Sequence, residues 1–311
     1  MQKSSSILII GASGMIGSAL LRMLKNNGYK NLLAPLHADL DLRNAHDAEH
    51  YFKKHKPEYV FHLAARVGGI HANNKYPGQF IYDNTAMQCS VFEAARKAGV
   101  RKLLFPGSAC TYPKMAPQPV KEAEFMNGPV ELTNIAYAAA KINGIIMAQS
   151  YAREYGLKVV IPMPTNTYGV GDNFNPEASH VIPALMQRFH AAAEDQLPEV
   201  ILWGSGMPLR EFIYVDDVAH AFIFLMQNYD YYDICNVGSM QEITISELAA
   251  EIAQVTDYKG KITLDTAKPD GAPRKILDSS KLFSLGWKPK VTLQDGLRRM
   301  YKTHFMDKLV A

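Results

Sequence analysis

The chain has 311 residues, 48% hydrophobic and 20% charged, a length that predicts about two domains or one large core with an attached lobe. This composition excludes a disordered, fibrous or disulfide-dependent protein. Its 33 basic and 30 acidic residues leave a formal charge of +3, too mild for a dedicated nucleic-acid binder.

In chain order, Ile7-Leu8-Ile9-Ile10 reads as a buried strand and Met15 to Asn26 as a helix that Asn27-Gly28 is suited to end. Asn31 to Leu36 predicts a second, weaker strand, and Val60-Phe61-His62-Leu63 a third. Asn84 to Lys97 has helical periodicity, Lys102-Leu103-Leu104-Phe105 is the next strand, and Val159-Val160-Ile161 a later one. Pro113 to Asn134 is polar and reads as a loop. Phe212-Ile213-Tyr214-Val215 and a helix from Asp216 to Gln227 look like a return to the first domain. Strands alternating with helices predict an α/β fold, a Rossmann-type doubly wound parallel sheet with a smaller C-terminal substrate lobe. The expected division is residues 1–170, with 211–240 returning to them, against residues 171–210 and 241–311.

Cys89, Cys110 and Cys235 are widely spaced, so neither a metal site nor a disulfide framework can be read from them. No stretch has the length of a membrane span, and the N-terminal apolar run is too short for a signal peptide. A reducing cytoplasm is the expected compartment.

Gly11-Ala12-Ser13-Gly14-Met15-Ile16-Gly17 lies between the first strand and the first helix. There, glycines permit a tight turn, close approach to a pyrophosphate and close strand–helix packing, while the helix N-terminus offers unpaired N–H groups. The alternative is a purely structural turn. The acidic residue that normally holds the NAD ribose is missing from Leu33 to Ala38, and no carboxylate occurs before Asp39. NADP is therefore favoured, with His37, Lys30 or Arg43 as candidate cations for its 2′-phosphate. His37 reads equally well as a solvated surface residue.

Tyr137 and Lys141 are four residues apart in a helix-forming stretch, which puts them on one face. A nearby ammonium favours the phenolate, so Lys141 is expected to lower the pKa of Tyr137. Ser108, just after the Leu103–Phe105 strand, supplies a hydroxyl to orient a carbonyl.

These residues carry a resemblance. The glycine turn, Ser108 and Tyr137-Ala138-Ala139-Ala140-Lys141 resemble an extended short-chain dehydrogenase/reductase, and Arg210-Glu211-Phe212-Ile213-Tyr214-Val215-Asp216-Asp217 adds its later signature. From about residue 7 to residue 305 the chain resembles the GDP-L-fucose synthase family. Arg66-Val67-Gly68-Gly69-Ile70, Ala72-Asn73-Asn74 and Gly107-Ser108-Ala109-Cys110-Thr111-Tyr112-Pro113 carry the match, continued by Pro164-Thr165-Asn166, Ser179-His180-Val181-Ile182-Pro183 and Lys268-Pro269-Asp270-Gly271.

The resemblance implies NADPH-dependent epimerisation at C3 and C5, then reduction at C4, of GDP-4-keto-6-deoxy-D-mannose. It assigns Cys110 as base and His180 as acid, although alone Cys110 reads as a small buried hydrophobe and His180 as a structural histidine. It implies Tyr137 as proton donor, Ser108 as support for the oxygen, and Lys141 on the nicotinamide ribose. It places Leu40, Pro164, Thr165, Asn166, Thr167 and His180 at the cofactor, beside the turn residues and His37. Arg188, Trp203, Arg210 and Asp270 are implied at the GDP-sugar; a core anchor is the competing reading of Trp203. Arg274 and Lys275 read as a solvated loop or as added positive charge. Ala109 stands where some members carry a hydroxyl, and Ser13 and Leu36-His37 lack basic residues that some members offer.

A homodimer is also implied, with Ala138, Ala139 and Met147 near the helices concerned. The competing activities are a C4-reductase of a related GDP-4-keto-6-deoxy sugar such as a heptose, and a non-catalytic nucleotide-sensing protein. A 4,6-dehydratase usually carries an acidic pair after the catalytic hydroxyl, and Ala109-Cys110 contains no carboxylate.

Overall fold

The computed structural model describes residues 1–175 and 179–307, with Ile70 and His71 described by backbone alone. In chain order it forms β1 (Ile7–Ile10), α1 (Met15–Asn26), β2 (Leu32–Leu33), α2 (Ala45–His55), β3 (Tyr59–His62), α3 (Ile70–Lys75), α4 (Pro77–Lys97), β4 (Lys102–Leu104), α5 (Ile135–Tyr155) and β5 (Lys158–Pro164). There follow β6 (Asn166–Tyr168), α6 (Val181–Glu194), β7 (Glu199–Trp203), β8 (Leu209–Tyr214), α7 (Val215–Asn228) and β9 (Ile234–Val237). The chain continues through β10 (Glu242–Thr244), α8 (Ile245–Val255), β11 (Lys261–Asp265), β12 (Arg274–Lys275), α9 (Ser280–Ser284) and α10 (Leu293–Tyr301).

Six strands form one sheet in the order β2-β1-β3-β4-β5-β9, and every pairing in it is parallel. A sheet covered on both faces needs strands apolar on both sides, which is why Ile7-Leu8-Ile9-Ile10 shows no alternation. Ile7 and Ile9 pack with Leu20 and Leu24 of α1 and Phe222 and Leu225 of α7. Leu8 and Ile10 face the other way, onto Phe52 of α2, Val91 and Phe92 of α4 and Ile145 of α5. Each such fully buried side chain contributes about 1.5–3 kcal/mol. This is the expected doubly wound, Rossmann-type fold.

The second strand is shorter than expected. Only Leu32–Leu33 pairs, because β2 is the sheet edge and Pro35 offers no ladder N–H just beyond it. A second sheet orders β10-β8-β12, with β6 also paired to β8, and β7 pairs with β11 apart from both. The strand around Phe212 therefore does not rejoin the large sheet, as its apolar run predicts; β8 is the centre of the second one. Its neighbours do return: α7 packs on α1, and β9 pairs with β5. Residues beyond 240 also divide, since α9 packs on β9 while α10 packs on α8.

Glu211 of β8 joins these layers. It is fully buried, and its carboxylate accepts the N–H of Met240 at 2.7 Å and of Leu277 at 2.9 Å. The N–H of Ser239 and the Thr165 hydroxyl complete the set, and burial still pushes the carboxyl pKa up.

Candidate active site

The glycine turn follows β1, His37 follows β2, Ser108 follows β4 and Thr165 follows β5, all beyond the C-terminal ends of the parallel strands, where ligands sit in open α/β sheets. After β1 the chain turns at Gly11, whose φ is +83° and where a Cβ would lie 2.7 Å from the Ala64 nitrogen. At Gly17 a Cβ would lie 2.0 Å from the Gly11 carbonyl oxygen, so α1 rests directly on the turn. Gly14 caps α1 without a side-chain hydrogen bond, leaving the first-turn N–H groups for a ligand. Ala12 is nearly buried, Ser13 is exposed, and Met15 and Ile16 are half-buried. The backbone is shaped to admit a pyrophosphate.

After β2, Asp39 folds back to accept the Leu36 N–H at 3.1 Å, and His37 is exposed beside it. Leu40 is buried in the core beside Phe52, so its side chain serves packing. Arg43 is held by Asp41 through bonds of 3.0 and 2.8 Å and lies 3.8 Å from Asp83. Of the three candidate cations, His37 and Lys30 are left without a carboxylate partner in an ion pair among the described residues. Nearby, Asn84 clamps Arg66, accepting its N–H at 2.9 Å and donating to its carbonyl at 3.0 Å. Asn73 donates to the carbonyls of Gly68 and Gly69 at 2.8 and 3.1 Å.

Tyr137 and Lys141 occupy the first turns of α5, which packs over β5. Lys141 is only 5% exposed; its Nζ donates to the Pro106 carbonyl at 2.8 Å and lies 6.0 Å from the centre of the Tyr137 ring. Ser108 caps the short helical turn Ala109–Thr111, its Oγ accepting the Cys110 N–H at 3.2 Å. Ser108 is also hydrogen-bonded to the Tyr137 hydroxyl, and the charge of Cys110 acts on both Tyr137 and Lys141. These four side chains form one cluster.

The electrostatics correct one expectation. The Tyr137 pKa is raised, by burial first and then by negative charge at Cys110, while the Ser108 bond opposes the rise. Burial pushes Lys141 down to about 8, and Cys110 opposes that shift. Desolvation outweighs the expected effect of the lysine, so Tyr137 holds its proton.

His180 is the N-cap residue of α6, just beyond residues 176–178, which lie outside the described residues. More than a third of it is exposed, yet the surrounding protein lowers its pKa through desolvation. Between β5 and β6, Thr165 donates its N–H to Val237 at 3.0 Å, and Asn166 donates through Nδ2 to the Glu211 carbonyl at 2.9 Å. Thr167 donates its hydroxyl to the Thr165 carbonyl at 3.2 Å, so Pro164–Thr167 is fixed where the two sheets meet.

The residues predicted for the GDP-sugar form a chain of neighbours. Arg188 of α6 donates to the Ile201 carbonyl of β7. Trp203 ends β7, is 72% exposed and has Lys268 Nζ 5.6 Å from its ring, which rules out a core anchor. Asp270 accepts from Ser205 N–H at 2.9 Å and Oγ at 2.6 Å, and Arg210 donates to the Ala272 carbonyl at 2.7 Å. Burial lowers the Arg210 pKa. Arg274 is paired with Glu242 by bonds of 2.6 and 2.7 Å, so its charge is spent locally.

Several buried groups escaped the sequence reading. His62 closes β3 with its ring 1% exposed, and burial drives its pKa to about 3. Tyr112 and Glu211 stand inside the family motifs; for Glu211 and Asn236 the available signal was a polar residue in an otherwise apolar strand.

The turn, sheet and Ser-Tyr-Lys cluster define the short-chain dehydrogenase/reductase class. The chain belongs to the NAD dependent epimerase/dehydratase family, which residues 7–238 match. It is 50% identical over 299 residues to GDP-L-fucose synthase 1 of Arabidopsis thaliana, covering 96% of this chain and 93% of that one. It is 44% identical over 305 residues to GDP-L-fucose synthase of Escherichia coli (strain K12), covering 95% of each. Among solved structures, a GDP-L-fucose synthetase from Naegleria fowleri bound to NADP matches with a TM-score of 0.90 at 29% identity, covering 100% of this chain and 96% of that one. A GDP-6-OMe-4-keto-L-xylo-heptose reductase from C. jejuni matches with a TM-score of 0.93 at 33% identity, covering 99% of each.

Proposed function

We propose that the chain catalyses NADPH-dependent 3,5-epimerisation and C4 reduction of GDP-4-keto-6-deoxy-D-mannose, forming GDP-L-fucose. The observation that carries this reading is the bond from the Cys110 N–H to Ser108 Oγ at 3.2 Å, which sets a thiol beside the Ser108–Tyr137–Lys141 cluster. A plain carbonyl reductase has no use for that thiol.

The 4-keto group acidifies the hydrogens on C3 and C5, because the electron pair left behind moves onto the C4 oxygen. Cys110 as thiolate takes such a proton, Ser108 supports the enolate oxygen, and His180 as imidazolium returns a proton to the opposite face. Exchange with water resets both groups before the second carbon reacts. Tyr137 then gives its phenolic proton to the C4 oxygen, and Lys141 stabilises the phenolate that remains. Gly11–Gly17 would hold the cofactor pyrophosphate, His37 its adenosine end, and Lys141 with Pro164–Thr167 its nicotinamide half. When bound, NADPH supplies the hydride that reduces C4. Arg188, Arg210, Trp203 and Asp270 hold the GDP-sugar, the arginines against its diphosphate.

Incubation with GDP-4-keto-6-deoxy-D-mannose in D2O without NADPH introduces deuterium at C3 and C5. No incorporation at either carbon overturns the bifunctional reading. The second reading, a C4-reductase of a related GDP-4-keto sugar, is favoured by the likeness to the heptose reductase. It predicts NADPH consumption without that exchange.

The assembly is a homodimer formed through α4 and α5. Ala138 is fully buried within the chain and cannot meet a partner; the exposed Ile81, Tyr82 and Ile146 are the surface that can. The proposed compartment is the cytoplasm; no described helix is long and apolar enough to cross a membrane.

A further inference from the structure

The segment that carries Ser108 and Cys110 is anchored differently at its two ends. At the first, Pro106 follows β4 and receives Lys141 at 2.8 Å, and Ser108 is bonded to Tyr137. At the second, Tyr112 is buried and its hydroxyl donates to Oδ1 of Asn236 at 2.6 Å. Asn236 of β9 is fully buried and immobilised in turn. Its N–H donates to the Glu122 carboxylate at 2.9 Å, and its Nδ2 donates to the carbonyls of Val120 at 2.9 Å and Asp278 at 3.0 Å. Between the anchors, Ala109 and Thr111 are buried and the Thr111 hydroxyl donates to the Ser108 carbonyl at 2.8 Å. Within the turn Ala109–Thr111 only Cys110 retains appreciable exposure.

A cysteine has one short arm, so the place of its sulfur follows the backbone that carries it. Proton transfer demands that sulfur within hydrogen-bond reach of the sugar carbon's hydrogen, and small displacements are costly. We propose that Tyr112 and Asn236 are a positioning pair that fixes Cys110 for proton abstraction, while the Ser108–Tyr137–Lys141 end of the segment is held independently. The inference rests on the epimerase reading above. The pair touches no substrate; it acts through two residues of backbone. The first end keeps its own bonds to Lys141 and Tyr137, so loss of the pair weighs on Cys110 more than on hydride transfer.

Tyr112→Phe removes one oxygen and keeps the ring. Epimerisation is read as deuterium uptake at C3 and C5 in D2O without NADPH. Hydride transfer is read in reverse, as first-turnover reduction of NADP by GDP-L-fucose, which needs no epimerisation. In Tyr112→Phe the uptake falls about tenfold or more while first-turnover hydride transfer stays near that of the unmodified protein. Tyr229→Phe is the control, since Tyr229 is equally buried and its hydroxyl donates to Asp233 at 3.4 Å away from the turn. It shifts stability without moving the ratio of the two rates. If Tyr112→Phe does not fold, Asn236→Ser, which removes the acceptor of the same bond, is scored in the same way. Equal loss of both rates, or an unchanged ratio, overturns the positioning role. Absence of exchange in the unmodified protein overturns the epimerase reading and this inference together.

Discussion

Burial sets the protonation of the central residues. Tyr137 is held above the ordinary phenol range and Lys141 is pushed down to about 8, so the phenol enters the reaction with its proton. Tyr137→Phe is therefore expected to lower C4 reduction by at least about a hundredfold, with NADPH binding and exchange at C3 and C5 retained. Stopped-flow reduction, cofactor titration and mass spectrometry check the three outcomes. The sign for Lys141 follows from its lowered pKa: the amine is charged below about 8 and loses its charge above it. Reduction should decline as pH rises through that value, and a pH profile of first-turnover hydride transfer without an alkaline limb contradicts it. The Tyr137–Lys141 spacing was legible in the sequence, but the dominance of desolvation was not. Periodicity places two side chains on one face without saying how deeply the helix is set.

Among the elements, β1, the glycine turn and α1 follow directly from residues 7–28, where an uninterrupted apolar run meets glycines and then helical periodicity. The run at 212–215 also announced a strand, but not its partners, since an apolar pattern is silent about which sheet receives it. Glu211 marked the difference: a carboxylate entering a buried strand needs donors from several segments, and at the centre of the second sheet β8 meets them from Thr165, Met240 and Leu277. Replacing it with alanine strands the Met240 and Leu277 N–H groups in the interior. Glu211→Ala is expected to cost about 3 kcal/mol in denaturant unfolding and to weaken both NADP and GDP binding. Loss of stability with both affinities intact contradicts the coupling of the two sites through β8.

Over the whole molecule, the mild net charge conceals a local arrangement. Arg188 and Arg210, proposed for the diphosphate, donate to backbone carbonyls, whereas Arg43, Arg66, Arg96 and Arg274 are matched by carboxylates nearby. The paired α4 and α5 leave Ile81, Tyr82 and Ile146 exposed on a chain otherwise well supplied with core. Light scattering should give twice the chain mass, and Ile146→Glu should shift it to that of one chain with its circular dichroism unchanged. A monomeric unmodified protein contradicts the assembly through these helices.

The stitching of Thr165, Met240 and Leu277 to one carboxylate also bears on how such a chain can diversify. The proposed sugar-recognition unit, threaded through β6, β8, β10 and β12, is not a cassette that recombination can lift out, because each crossover would sever a bond to the keystone on β8. On the proposed function, new sugar preferences would arise residue by residue on the rim around Trp203 and Asp270, while the interior strand is inherited whole.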